Sequence, residues 1–199
     1  EIPRLAAALR VQAVYANHDD EPAALARDAQ VRGRLADFGV ALHTSKDHVI
    51  FERSEVLTQS GGAFSVFTPY KNAWLKKLDG FYLKAYPVLR HAAALAAPPA
   101  GVAAGVPTLA ALGFETTNLA SLKMPAGPVG AQSMFADYLH RIDDYGETRN
   151  FPAVKGPSYL STHLRFGTIS IRQLAREAWQ RRQGGSPGAE VWLSELIWR

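Results

Sequence analysis

Hydrophobic and polar positions change their period along the chain. Residues 11–17 (VQAVYAN) and 40–44 (VALHT) are short apolar runs of the kind that form buried parallel strands. Between them, residues 21–38 predict a helix, with Pro22 near its start and Gly39 as its terminator. Its apolar residues Leu25, Ala29, Leu35 and Phe38 alternate with Arg27, Asp28, Arg32 and Arg34. Strand, helix and strand in this order make a βαβ unit, for which a right-handed crossover is expected. Two strands are too few for an independent doubly wound domain, so earlier strands are expected outside this chain.

The next periodic segment is VFTPYKNAWLKKL, residues 66–78. Thr68 is expected to cap a helix with its hydroxyl, and Pro69 to occupy the first helical position, where a missing N–H costs nothing. Tyr70, Trp74, Leu75 and Leu78 form an apolar stripe, while Lys71, Asn72, Lys76 and Lys77 fall on a solvated face. Trp74 reads as scaffold. Residues 82–112, rich in alanine and proline, read as a linker with short helical pieces, and residues 107–112 as one or two helical turns closed by Gly113.

From residue 129 the pattern is helical. Phe135, Leu139 and Ile142 share a stripe, and Ser170 with Gln173 predicts a capping box ahead of Leu174, Ala178 and Trp179. Ser186 and Pro187 open a last helix that carries Trp192, Leu193, Leu196 and Ile197. No internal repeat is present. The expected fold is α/β followed by all-α. It comprises a partial α/β domain over 1–60, a connecting helix and linker over 61–128, and the beginning of a helical domain over 129–199.

Composition narrows this picture. The 199 residues are 47% hydrophobic and 20% charged, normal for a globular protein. No apolar run approaches the roughly 20 residues that span a bilayer, so no membrane association is expected. The start lacks a basic region and a small-residue cleavage site after an apolar core, so it is not a signal peptide. Without cysteine there are no disulfides and no thiolate metal sites, which fits a cytoplasmic home. A net charge of +4, from 22 basic and 18 acidic residues, permits a polyanionic partner without requiring one. The first residues carry no initiator Met, and the last break off within a helical pattern. The expectation is a fragment cut at both ends.

Several chemistries leave no mark. There is no P-loop, no G-x-G-x-x-G behind a strand, no H-E-x-x-H and no G-x-S-x-G. The six histidines have no metal-ligand spacing, and no metal is expected. Residues 150–170 (NFPAVKGPSYLSTHLRFGTIS) are more informative. Gly156, Pro157, Ser158 and Ser161 form a loop running into a short helix, where hydroxyls and free amides can hold a phosphate. The competing role is structural, with Ser158 and Ser161 merely capping that helix. In EVWLSELIWR, Trp192, Glu195 and Arg199 lie at i, i+3 and i+7, with Trp198 beside Arg199. An aromatic, a carboxylate and an arginine on adjoining faces suit a planar ligand or a base. The competing role is an i,i+4 ion pair between Glu195 and Arg199 over core tryptophans.

Taken together these segments resemble the photolyase/cryptochrome family, on its class I-like cyclobutane-dimer photolyase side, over almost the whole chain. VFTPYKNAWLKKL is similar to the family's phenylalanine-threonine-proline-aromatic block. RNFPAVKGPSYLSTHLRFGTIS is similar to the segment that opens its flavin site, and GAEVWLSELIWR to the start of a helix that relatives continue with Glu-Phe-Tyr. The resemblance implies light-driven repair of cyclobutane pyrimidine dimers in DNA. Reduced FAD would donate an electron to a dimer flipped from the duplex, whose extraction costs a few kcal/mol. The cofactor supplies the electron chemistry and the protein supplies orientation and electrostatics.

Residue by residue, Tyr145 matches a tyrosine that contacts FAD, and Arg149 an arginine facing DNA. Ser158, Leu160 and Ser161 match the loop holding the FAD phosphates, and Trp192 a position lining the flavin pocket. Glu195 matches the carboxylate that hydrogen-bonds the dimer, Trp198 the tryptophan against which it packs, and Arg199 the arginine beside it. Pro157 stands where many relatives have threonine, which removes one hydroxyl and one N–H. Ala23 and Ala24 stand where one antenna type has an Asn-Glu pair, so a folate antenna is unsupported and the type of any second chromophore is open. The expected partner is DNA containing pyrimidine dimers, with no obligate protein partner, and the chain by itself is expected to bind FAD weakly and to be inactive. The alternatives are a cryptochrome-like photoreceptor, a DNA-binding module and an inactive remnant.

Overall fold

The structure is a computed structural model that describes residues 1–97, 99–101, 105–122 and 124–199. It divides into two compact units, one of residues 1–47 with 93–106 and one of 48–92 with 107–199. The first boundary therefore falls at 47/48, ahead of the proline-led helix. Residues 98 and 102–104 of the expected linker lie outside the described residues.

In the first unit, helix α1 (Ile2–Leu9) leads to strand β1 (Ala13–Asn17), helix α2 (Pro22–Ala36) and strand β2 (Ala41–Ser45). The strands pair in parallel, with Ala13 opposite Ala41 and Asn17 opposite Ser45. Just beyond the ladder, the His18 N–H donates to Ser45 O at 2.8 Å, and His18 Nε2 meets Thr44 Oγ1 at 2.9 Å. Gly39 adopts φ +69° and ends the α2 turn, as its position behind the helix predicts. The expected burial of the strands is not observed. Tyr15, Ala16 and Asn17 are exposed, and the Tyr15 and His43 rings stack on the open ladder at 5.0 Å. The reason is layering: α2 packs on β2 and α1 on α2, so within this unit the pair of strands has cover on one side only. On α2 the buried positions are Ala24 and Leu35, whereas Leu25 and, just beyond the helix, Phe38 face solvent.

The second unit is built on one hydrophobic core. Helix α3 (Phe67–Lys77) contributes Trp74, and Leu78 follows it into the same cluster. Phe51 packs edge-on against Trp74 at 5.2 Å and Tyr82 at 4.6 Å. Trp74 is scaffold, as its place on the stripe predicts. The start of α3 differs from expectation. Val66 is the N-cap, no side chain caps the helix, and Thr68 and Pro69 are its second and third residues. Proline is still tolerated there because the first four helical N–H groups have no intrahelical acceptor. Nor is the lysine face wholly solvated. Lys77 Nζ donates to Glu55 O at 2.5 Å and lies 5.1 Å from the Phe51 ring centre.

Residues 110–112 form a single 3-10 turn closed by Gly113 at φ +84°. The helical elements that follow are α4 (Gly127–Leu139), α5 (Tyr145–Thr148), α6 (Ser161–Arg165), α7 (Ile171–Gln183) and α8 (Pro187–Trp198). Ser170 caps α7 by accepting from the Arg172 N–H at 3.2 Å. The expected capping box does not form, because the Gln173 amide pairs reciprocally with Gln132 on α4, 3.0 Å in each direction. Ser186 caps α8, accepting from Ala189 N–H at 3.2 Å. Leu174, Ala175 and Ala178 of α7 meet Trp192, Leu193 and Ile197 of α8 in the core. No helix among the described residues is long and apolar enough to cross a membrane.

Candidate functional site

The site is organised around the approach of α8 to the 142–149 segment. Gly188, in the first turn of α8, makes this approach possible. A Cβ there would lie 1.9 Å from Ile142 O and 2.5 Å from Asp143 O, so only glycine lets the two backbones come together. Ser186 Oγ adds a hydrogen bond to Asp143 Oδ1 at the same junction. With the N-terminal end of α8 pinned there, its middle runs along α5.

Two turns further on, Glu195 meets Arg149. Arg149 Nη1 donates to Glu195 Oε1 at 2.6 Å, with the side chains 31% and 36% exposed. The expected alternative, an ion pair from Glu195 to Arg199 along the helix, is not what Glu195 forms. The guanidinium of Arg149 also lies 5.3 Å from the Tyr145 ring centre. The hydrogen bond to Glu195 raises the Arg149 pKa. Burial raises that of the Tyr145 phenol, opposed by the Arg149 charge and aided by Glu195.

Behind this pair stands an aromatic wall. Tyr138 of α4 is fully buried, 4.8 Å from the Trp192 ring and 5.9 Å from that of Tyr145. Phe135 reaches Trp192 at 6.0 Å. Tyr138 was not singled out in the sequence, although it lies three residues after Phe135 and four before Ile142 on the same stripe. Its phenol is pushed far above the ordinary tyrosine range, first by burial. Its Oη has no hydrogen-bond partner among the described residues.

The serine loop is held by residues that no motif announced. Arg141 Nη2 donates to Pro157 O at 3.0 Å, while Nη1 bonds Asp137 through the backbone carbonyl at 2.9 Å and the carboxylate at 2.5 Å. Lys155 Nζ meets the same carboxylate at 2.9 Å. Hydrogen bonds from Lys155 first and Arg141 second hold the Asp137 carboxyl below the usual aspartate range. Gly156 closes the other side, since a Cβ there would lie 2.7 Å from the Thr148 backbone at the end of α5. Tyr159 adopts φ +56°, a left-handed conformation costly for a side-chain-bearing residue.

Within this loop, Leu160 is the buried N-cap of α6, and no side chain caps the helix. Ser158 Oγ only accepts from the Leu160 N–H at 3.4 Å, a long bond. The structural role weighed for Ser158 and Ser161 as caps of this helix is therefore not the one they play. Ser158 instead lines a cleft of about 460 Å³ with Ser133, Asp137, Arg141, Lys155 and Tyr159. Inside α6, buried His163 shares a 2.8 Å hydrogen bond between Nδ1 and Thr168 Oγ1. Thr168 Oγ1 also reaches His163 O at 3.3 Å. A hydroxyl proton given to that carbonyl leaves Nδ1 as the donor.

Trp198 and Arg199 lie at the far end of α8. The Trp198 ring stacks on Phe67 at 4.0 Å and 8°. Both border a cleft of about 310 Å³ that also includes Phe64, Tyr70 and Arg199. Burial first, and the positive charge of Arg165 second, lower the Arg199 pKa. The structure thus joins Tyr145, Arg149, Trp192 and Glu195 in one cluster. It sets Ser158, Leu160 and Ser161 on a braced loop, and Trp198 with Arg199 at an aromatic cleft. In the first unit, Ala23 is exposed and Ala24 buried, and neither offers a polar group to an antenna.

The DNA photolyase family model matches residues 1–99. An uncharacterized 31.6 kDa protein of Synechococcus is 33% identical across all of this chain, which covers 70% of it. A deoxyribodipyrimidine photo-lyase of another Synechococcus strain is 32% identical, again across all of this chain but over 42% of its own length. Among solved structures, a bacterial class III photolyase from Agrobacterium tumefaciens superposes with a TM-score of 0.81 at 25% identity, covering 100% of this chain and 41% of that one. The chain spans about two fifths of the photo-lyase it matches. With a relative of this identity and coverage, and with family-model, sequence and structural matches all converging, the chain belongs to the DNA photolyase family.

Proposed function

We propose that this chain supplies one wall of a flavin and DNA-lesion site that repairs cyclobutane pyrimidine dimers in light. The observation that carries the reading is the end of α8. There a partly exposed carboxylate, fixed by Arg149, lies one helical turn before an exposed indole. Two linked pyrimidines flipped out of the stack need a flat apolar surface and a directional polar partner, and these two residues offer both.

The residues present fit FAD. The orphaned Tyr138 Oη and the neighbouring Trp192 and Tyr145 suit a partly polar aromatic group, and the uncapped Ser158–Ser161 loop suits phosphate oxygens. Tyr145, Ser158, Leu160 and Ser161 would hold the cofactor, with Trp192 lining its pocket. Bound FAD supplies the photoexcited electron that opens the cyclobutane ring. The chain's own residues do the rest. Trp198 packs the lesion and excludes water from it. Glu195, oriented by Arg149, accepts a hydrogen bond from one of its N–H groups, and Arg149 and Arg199 face the DNA. Phosphate contacts by such cations add affinity that falls with salt and carries no sequence information.

A cryptochrome-like sensor would use the same flavin fold without needing a carboxylate and an indole aimed at a lesion. Repair is tested in a chimera in which this chain replaces the matching segment of the Synechococcus photo-lyase. Under near-ultraviolet light with reduced flavin, the chimera restores the ultraviolet absorbance of thymines in a dimer-containing oligonucleotide. Failure of a folded, flavin-containing chimera to do so refutes the repair reading.

A further inference from the structure

The indole at the end of α8 does not stand alone. Phe67 and Trp198 are parallel to within 8° with their ring centres 4.0 Å apart, yet Trp198 remains 63% exposed. One face of the indole is therefore covered by the phenyl ring and the opposite face is open. Phe67 is firmly placed to do this. It is the first residue of α3, which packs against α8, and two helical turns later Trp74 is buried in the core. Phe64 and Tyr70, in edge contact at 5.9 Å, border the same cleft, and Arg199 lies at its rim.

An exposed tryptophan at a helix end would lose rotamer freedom on binding a flat ligand. A parallel ring fixed on its back removes that freedom in advance, so less affinity is spent on ordering the platform. Stacking on an open indole face is available to any base, because every base presents a π-surface. The neighbouring guanidinium of Arg199 supplies positive charge for a phosphate next to the stacked base.

We infer that Phe67 is a positioning residue for lesion binding: it holds Trp198 in one orientation, so that the open indole face forms the platform for a flipped pyrimidine dimer. This rests on the repair reading of Trp198. It gives the phenylalanine of the VFTPY block a part in the site, through a ring contact from α3 to the end of α8.

The test uses the chimera of this chain with the Synechococcus photo-lyase and fluorescence anisotropy on two labelled duplexes, identical except for one thymine dimer. The variants are Phe67→Leu, which keeps apolar bulk without a ring, Phe67→Tyr, which restores the ring, and Trp198→Ala. The wild type prefers the damaged duplex, and Trp198→Ala abolishes the preference. Phe67→Leu cuts it roughly fivefold to tenfold, a modest hot-spot effect, while binding to undamaged DNA is unchanged. Phe67→Tyr keeps it. In this chain alone, acrylamide quenching of tryptophan fluorescence rises in Phe67→Leu and not in Phe67→Tyr, a readout of ring cover independent of DNA. A Phe67→Leu variant with undiminished preference overturns the inference, and one with increased preference shows that the phenyl ring blocks the face instead of backing it. A folded, flavin-containing chimera carrying the wild-type chain but without preference for the dimer refutes the repair reading of Trp198, and the inference with it.

Discussion

At the scale of single residues, the site depends on polar groups whose partners come from elsewhere in the chain. Arg149 and Glu195 are 46 positions apart and meet at 2.6 Å with about a third of each side chain exposed. A pair so exposed contributes about 0–1 kcal/mol to folding. Glu195→Gln is therefore expected to shift urea unfolding by no more than about 1 kcal/mol, yet to lower light-driven repair in the chimera by roughly tenfold or more through loss of a charged acceptor. Equal losses of stability and repair would make the pair structural. Asp137 yields a pH prediction. Its carboxyl is held below the usual aspartate range by Lys155 and Arg141, so the folded state keeps it ionised more readily than the unfolded chain does. The resulting stability is present above the ordinary aspartate pKa and disappears as pH falls through the lowered one. Acid unfolding followed by tryptophan fluorescence should show this loss, and Asp137→Asn should flatten it. An unchanged acid profile in that variant would show that the loop is braced without this carboxylate.

At the scale of elements, close backbone approach decides where the side chains arrive. Gly188 lets α8 touch the 142–143 carbonyls, and Glu195 reaches Arg149 because of that contact. Gly188→Ala forces the helix away and is expected to cost roughly 3 kcal/mol or more, at the upper end for overpacking. Thermal melts should show it, with Gly146→Ala as a milder control, since a Cβ at Gly146 meets only Val191 Cγ2 at 3.6 Å. Equal melting temperatures for the two variants would contradict this account of the junction. The same comparison shows what the sequence could reveal. The helical pattern from residue 129 onward and the Ser170 and Ser186 caps were legible, because helical spacing and capping are local. The capping box at Gln173 was misread, and the competing roles of Ser158 and Ser161 as caps and of Glu195 and Arg199 as a pair are not adopted, for one reason. A local partner was available to each, and a tertiary partner or none was taken instead. Arg141 bracing Pro157 left no sequence signal, because an arginine on a helix surface looks the same whether or not a loop carbonyl awaits it.

At the scale of the whole molecule, the two compact units differ in how much of their fold they bury. The first presents a two-stranded ladder with exposed Tyr15, while the second encloses one core that spans α3 to α8. The strand order and the helix between were legible, but burial was not, because an apolar run marks a strand suited to cover and not which elements pack on it. The candidate site lies wholly in the second unit, and the chain as a whole covers about two fifths of the photo-lyase it matches. The central claim is that residues 145–199 form one wall of a flavin site. The direct measurement is the visible absorption spectrum of the chimera with the Synechococcus photo-lyase after FAD is added and the excess removed. Retained flavin bands, weakened when Ser158→Asp and Ser161→Asp set carboxylates against the phosphates, are the expected result, with little flavin held by this chain alone. A folded chimera that stays colourless while the unaltered photo-lyase stays yellow would contradict it.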